Sequence, residues 1–80
     1  MADILVKNFE RWLAVSRKGD PDHIYHRGDL AADRIDEDDR LTVVDDLANR
    51  AWRAYQEDQI DLYQERTDEP GVRLYIARRR

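Results

Sequence analysis

The sequence predicts an α+β domain, and three observations carry that expectation. Apolar residues recur at helical spacing in two long stretches, residues 3–17 and 41–58. From Ile60 onward the period changes to two, the signature of strands. Between the alternating runs stands Glu69-Pro70-Gly71-Val72, with proline and glycine where a type II turn needs a fixed φ followed by a positive one.

Each element has its own warrant. In residues 3–17, Leu5, Phe9, Trp12, Leu13 and Ser16 share a side, while Lys7, Glu10, Arg11 and Arg17 lie mostly opposite, which describes an amphipathic helix. Gly19 and Asp20-Pro21 end it. His23 to Arg27 contains Ile24 and Tyr25 and is bounded by that turn and by Gly28, as a short edge strand would be. Asp29 can then cap a brief helix in which Leu30, Ala31 and Ile35 share a side, and Asp36 to Asp39 is a charged connection.

The helix at 41–58 has the clearest pattern: Val44, Leu47, Ala48, Ala51, Trp52 and Tyr55 follow i, i+3, i+4, i+7. Thr42 and Asp45 resemble a capping box at its start, with Asp38 or Asp39 as alternative caps. Acids in its first turns and Arg50 and Arg53 further along suit the helix dipole. In the hairpin, Ile60, Leu62 and Gln64 alternate with Asp61, Tyr63 and Glu65, and Val72, Leu74 and Ile76 alternate with Arg73, Tyr75 and Ala77. Trp12 and Trp52 lie on the apolar stripes of their helices and are expected in the core. Tyr63 and Tyr75 fall on the polar side of the alternation, so with Tyr25 they either cover the long helix or form an exposed patch suited to a dimer or a partner.

Composition bounds what such a domain can do. Eighty residues make one domain, 1–80, that buries only about two-thirds of the unfolded chain's surface, so a homodimer is one way to gain stability. The absence of cysteine removes disulfides and thiolate metal sites. The longest apolar run, Leu74 to Ala77, is far short of the roughly 20 residues that cross a bilayer, and no signal-peptide pattern opens the chain. The expectation is a soluble, cytoplasmic protein. Its net charge of −4 is unevenly spread: residues 29–46 hold eight acids against Arg34 and Arg40, and Arg78 to Arg80 close the chain with three positive charges.

The order α-β-α-α-β-β with a C-terminal β-hairpin resembles the winged-helix arrangement, with residues 29–58 as the helix-turn-helix and 67–71 as the wing tip. The segments YHRGDLAADR (25–34), Ala51-Trp52, LYQER (62–66) and LYIARR (74–79) resemble short, mostly uncharacterised phage and prophage proteins of proteobacteria, over residues 23–79. In length, acidic charge and lack of a catalytic motif the chain is also similar to small anti-CRISPR proteins. That resemblance implies a non-enzymatic inhibitor working inside a bacterial host cell.

The candidate sites follow from charge. A winged helix that reads DNA presents basic and amide side chains, because phosphate contacts supply most of the affinity. Here only Asn49, Arg50, Arg53, Arg73 and the tail from Arg78 suit a nucleic acid, while Asp45 and Asp46 occupy the turns that would meet base edges. The acids Asp33, Asp36, Glu37, Asp38, Asp39, Asp45 and Asp46, gathered at one end of the long helix, have two readings: a solvated face, or a negative surface that docks in a partner complex's basic groove for nucleic acid. The second makes the chain a DNA-mimicking inhibitor that acts by protein–protein interaction; the alternative is a small DNA-binding transcriptional regulator. Asp20, Asp22, His23 and His26 are the only metal-like grouping, but residues three apart in a strand point to opposite faces, so no metal is expected. Asp29 and Asp33 stand four apart without a nucleophile beside them. No phosphate loop or catalytic triad is present, so neither an enzyme nor a cofactor is expected.

Overall fold

The computed structural model describes residues 3–80. Six elements follow one another: α1 (Asp3–Val15), β1 (His23–Gly28), α2 (Leu30–Asp33), α3 (Val43–Gln56), β2 (Ile60–Arg66) and β3 (Arg73–Arg79). The three strands form one antiparallel sheet in the order β1-β3-β2. The fold is therefore α+β, three helices with a three-stranded antiparallel sheet.

Both long helices cover one face of that sheet. Val6 and Phe9 of α1 meet Leu47, Ala51 and Ala54 of α3 over a floor of Tyr25, Ile60, Tyr75 and Ala77. Phe9, Leu47 and Ile60 are fully buried, each contributing roughly 1.5–3 kcal/mol of hydrophobic stabilisation. The alanines of α3 let the helix lie close to α1 and the sheet. On α1 the buried residue of the first turn is Val6 in place of Leu5, which is exposed, while Phe9, Trp12, Leu13 and Ser16 keep to the expected stripe.

The helix ends are set by local hydrogen bonds. α1 stops at Val15, short of Arg17, because Asp20 Oδ2 accepts from Arg17 N at 2.8 Å and folds the chain into a turn. α3 starts at Val43, since Leu41 is held in an isolated bridge with Ile35. Thr42 is its N-cap residue, but the expected capping box is absent: the Thr42 hydroxyl donates instead to the Asp33 carbonyl at 2.6 Å, tying α3 to α2. At the other end Gln59 N donates to Ala54 O and Asp58 N to Tyr55 O, with Asp58 at φ +60, a Schellman stop that ends α3 at Gln56.

Between β2 and β3, Val72 N donates to Glu69 O and Gly71 sits at φ +77, the geometry required of a type II turn. Register settles the face of β3 that alternation left open. Register pairs Leu62 with Ala77 and Gln64 with Tyr75, so Tyr75 and Ala77 face the helices while Leu74 and Ile76 face the open side. Leu74-Tyr75-Ile76-Ala77 is apolar on both sides, so alternation alone carries no phase. Ile76 is buried even there, beneath its register partners Ile24 and Tyr63.

Candidate functional site

The acidic connection between α2 and α3 is a built turn. Beyond the Ile35–Leu41 bridge, Asp36 N donates to Arg40 O, and Thr42 N donates to Arg34 O, so residues 34–42 form a short two-legged stem. Asp36 Oδ1 accepts from Asp38 N at 2.8 Å and Arg40 N at 3.0 Å, closing the tip. Asp39 adopts φ +59, a conformation that aspartate tolerates better than most residues. Glu37, Asp38 and Asp39 are left exposed at the apex, with no ion pair among the described residues. Ile35 and Leu41, 49% and 71% exposed, flank the base of this tip.

The other acids expected in one negative surface are engaged within the chain. Asp33 Oδ2 lies 2.7 Å from His26 Nε2 and accepts from Asp29 N at 3.2 Å, joining β1 to α2. Asp45 pairs with Arg34 at 2.7 Å, and Arg34 also donates to Asn49 Oδ1 at 3.0 Å. Asp46 pairs with Arg50 at 3.0 Å, and the same guanidinium reaches Glu10 at 3.1 Å. Hydrogen bonds to Glu10 and then Asp46 raise the Arg50 pKa above its ordinary value. Asp45 and Asp46 are thus neutralised by neighbouring arginines, Asp33 and Asp36 keep their charge while holding local structure, and Glu37, Asp38 and Asp39 are the expected acids left without such an engagement among the described residues.

The cations considered for nucleic acid are likewise partly committed. Asn49 and Arg50 belong to the networks just described. Arg73 donates to Gln64 Oε1 at 3.0 Å. Arg78 makes two hydrogen bonds of 2.9 Å to Asp22 and stacks 4.7 Å over the Tyr63 ring; its hydrogen bonds hold the Asp22 carboxyl below the usual range. Arg79 donates to the carbonyls of Ser16 and Gln59, and Arg80 pairs with Asp58 and Asp61. The basic tail therefore folds back on its own chain. Arg53 is exposed and makes no ion pair among the described residues.

The two histidines do not point to opposite faces, contrary to the expectation from their spacing. A register shift between Ile24 and His26 leaves Tyr25 as an extra residue, which returns His26 to the face of His23. His23 stacks on Trp12 at 5.5 Å, and His26 lies 5.8 Å from Tyr75 and against Asp33, so the two serve different contacts. No group of three or more His, Cys, Asp or Glu suited to a metal occurs among the described residues. No described helix is long and apolar enough to cross a membrane.

One feature escaped the reading of the residues: a groove of about 690 Å³ between α2, α3 and β2. Trp52, expected in the core, stands at its wall 55% exposed, with its ring 5.3 Å from that of the exposed Tyr55. Leu47, Ala48, Ala51 and Ala54 form the buried stripe of α3, and Trp52 lies at the margin of that stripe. The small size of the central residues, with a large one beside them, was the available signal. Tyr25 and Tyr75 line the groove from the sheet, and burial pushes the Tyr25 hydroxyl up to about 12. Compared with protein-family models, curated proteins and solved structures, the chain matches none of them.

Proposed function

We propose that this chain is a non-enzymatic inhibitor of the phage type, similar in manner to anti-CRISPR proteins, that binds a partner complex handling nucleic acid. Its frame is winged-helix-like, with α2, the acidic turn and α3 in the place of a helix-turn-helix and the β2–β3 hairpin in the place of the wing. The acidic tip enters the basic groove through which the partner admits nucleic acid.

The observation that carries this reading is the segregation of charge at the α2–α3 turn. Most carboxylates expected to form the negative surface are occupied, whereas Glu37, Asp38 and Asp39 stand together at an apex flanked by exposed Ile35 and Leu41. Such a tip offers charge for steering and apolar area for affinity; each exposed ion pair contributes only about 0–1 kcal/mol, but complementary potential accelerates encounter and rejects wrong partners. The regulator alternative draws less support, since its amide and arginine candidates are largely bound to neighbouring side chains and the turn would meet phosphates with carboxylates.

The test is competition. Immobilised protein should capture a nucleic-acid-handling complex from bacterial extract at physiological salt, and added duplex or single-stranded DNA should release it. Retention of duplex DNA by the protein itself, weakened by Arg53→Ala and Arg73→Ala, would favour the regulator and overturn the inhibitor.

A further inference from the structure

The groove beside α3 runs along an open sheet edge. β2 is an outer strand. Arg80 N donates to Gln59 O at 3.1 Å, continuing the register that sets Ile60 opposite Arg79, so the odd-numbered residues of β2 direct their main-chain groups to β3. The N–H and C=O of Leu62 and Gln64 consequently point away from the sheet. The side chains of the same two residues line the groove.

A main-chain ladder and a groove for alternate side chains are the two parts that strand addition uses, the first for affinity and the second for specificity. The groove adds a polar group that a bound segment can reach. Tyr25 is only 7% exposed and its hydroxyl makes no hydrogen bond among the described residues, whereas the neighbouring Tyr75 hydroxyl accepts from Leu30 N at 3.1 Å. The Tyr25 hydroxyl is not sealed off from solvent, so a side chain entering the groove can reach it.

We propose that the groove between α3 and β2 binds an extended segment of a partner protein as a fourth strand, with one aromatic, polar-tipped side chain laid against Trp52 and hydrogen-bonded to the Tyr25 hydroxyl. The segment carries Lys or Arg at positions facing the open side of β2, where Asp61 and Glu65 flank Tyr63. Arg80 offsets Asp61 and leaves Glu65 exposed for this purpose. Full-length antiparallel pairing of two β2 strands sets Glu65 against Asp61, whose charge Arg80 already offsets, so a second copy of this chain is separated from a partner segment by sedimentation. This site is distinct from the acidic tip, and the two stand or fall separately.

Selection of a displayed library of random peptides on the intact protein tests it. Enriched peptides should alternate, with an aromatic residue on one face and Lys or Arg on the other. A synthetic peptide of that consensus should shift the amide resonances of Leu62 and Gln64. Trp52→Ala should weaken its binding by about tenfold, and Tyr25→Phe, which keeps the ring, by several-fold. Glu37→Lys, Asp38→Lys and Asp39→Lys together should leave it unchanged. The proposal is overturned if no peptide is enriched, if binding ignores both Trp52→Ala and Tyr25→Phe, or if sedimentation reveals a dimer that Trp52→Ala dissociates, since a second copy then fills the groove.

Discussion

The guanidinium of Arg34, just past α2, meets the carboxylate of Asp45 in the first turn of α3 at 2.7 Å, and a further bond from Arg34 to Asn49 makes it a three-residue clasp. Asp45 is only 15% exposed at its side chain and Arg34 is more open. After discounting for solvent at Arg34, loss of the clasp should cost about 1–2 kcal/mol, more than an open surface pair. Arg34→Ala and Asp45→Asn should each lower the urea midpoint, and the double variant should lose less than the sum, because both remove the same contact.

Gly28 closes β1 at φ +142, and a Cβ there would lie 2.5 Å from Asp33 Oδ2, the oxygen that His26 contacts. Gly28→Ala should destabilise by more than about 1 kcal/mol, through strained backbone and a displaced Asp33. Adding Asp33→Ala relieves the clash but leaves the φ and removes the bonds to His26 and Asp29 N, so the melting temperature of the double variant should stay below that of the wild type.

Burial holds the His23 imidazole below its ordinary value of 6.5. The unfolded chain then takes up the proton first as pH falls, so the stability tied to neutral His23 is complete above about pH 6.5 and declines below it. The denaturation midpoint should drop between about pH 7.5 and pH 5.5, and His23→Gln should flatten that part of the profile. An equal slope in the variant would assign the acid sensitivity elsewhere.

Trp52 and Phe9 are both aromatic residues on apolar stripes, but they stand 55% and 0% exposed. Trp52→Ala should cost less than about 1 kcal/mol in a melt, while Phe9→Ala should cost about 3–5 kcal/mol and leave the domain at the limit of folding.

How much of this was legible in the residues depends on the physics at each position. The α3 stripe and the Pro70-Gly71 turn are local, and spacing and backbone restriction reveal them. The Asp29 cap is equally local, its side chain accepting from Ala32 N. The phase of β3 was hidden because four consecutive apolar residues suit either face, and the histidine geometry because a bulge at Tyr25 depends on pairing with β3. The acidic surface could be located from Asp33 to Asp46, but which acids remain free depends on tertiary partners, Arg34 eleven residues from Asp45 and His26 seven residues from Asp33. The groove needed the tertiary placement of Trp52 and the free edge of β2.

Charge reversal at the tip decides whether Glu37, Asp38 and Asp39 make the partner contact. Capture of the partner complex by wild-type protein should fall at least about tenfold in the variant Glu37→Lys, Asp38→Lys, Asp39→Lys, while a control reversing the exposed Glu57 and Asp68, away from the tip and the groove, retains it and both variants keep the wild-type melting profile. Equal capture by the tip variant and the wild type would mean that the acidic tip makes no contact with the partner.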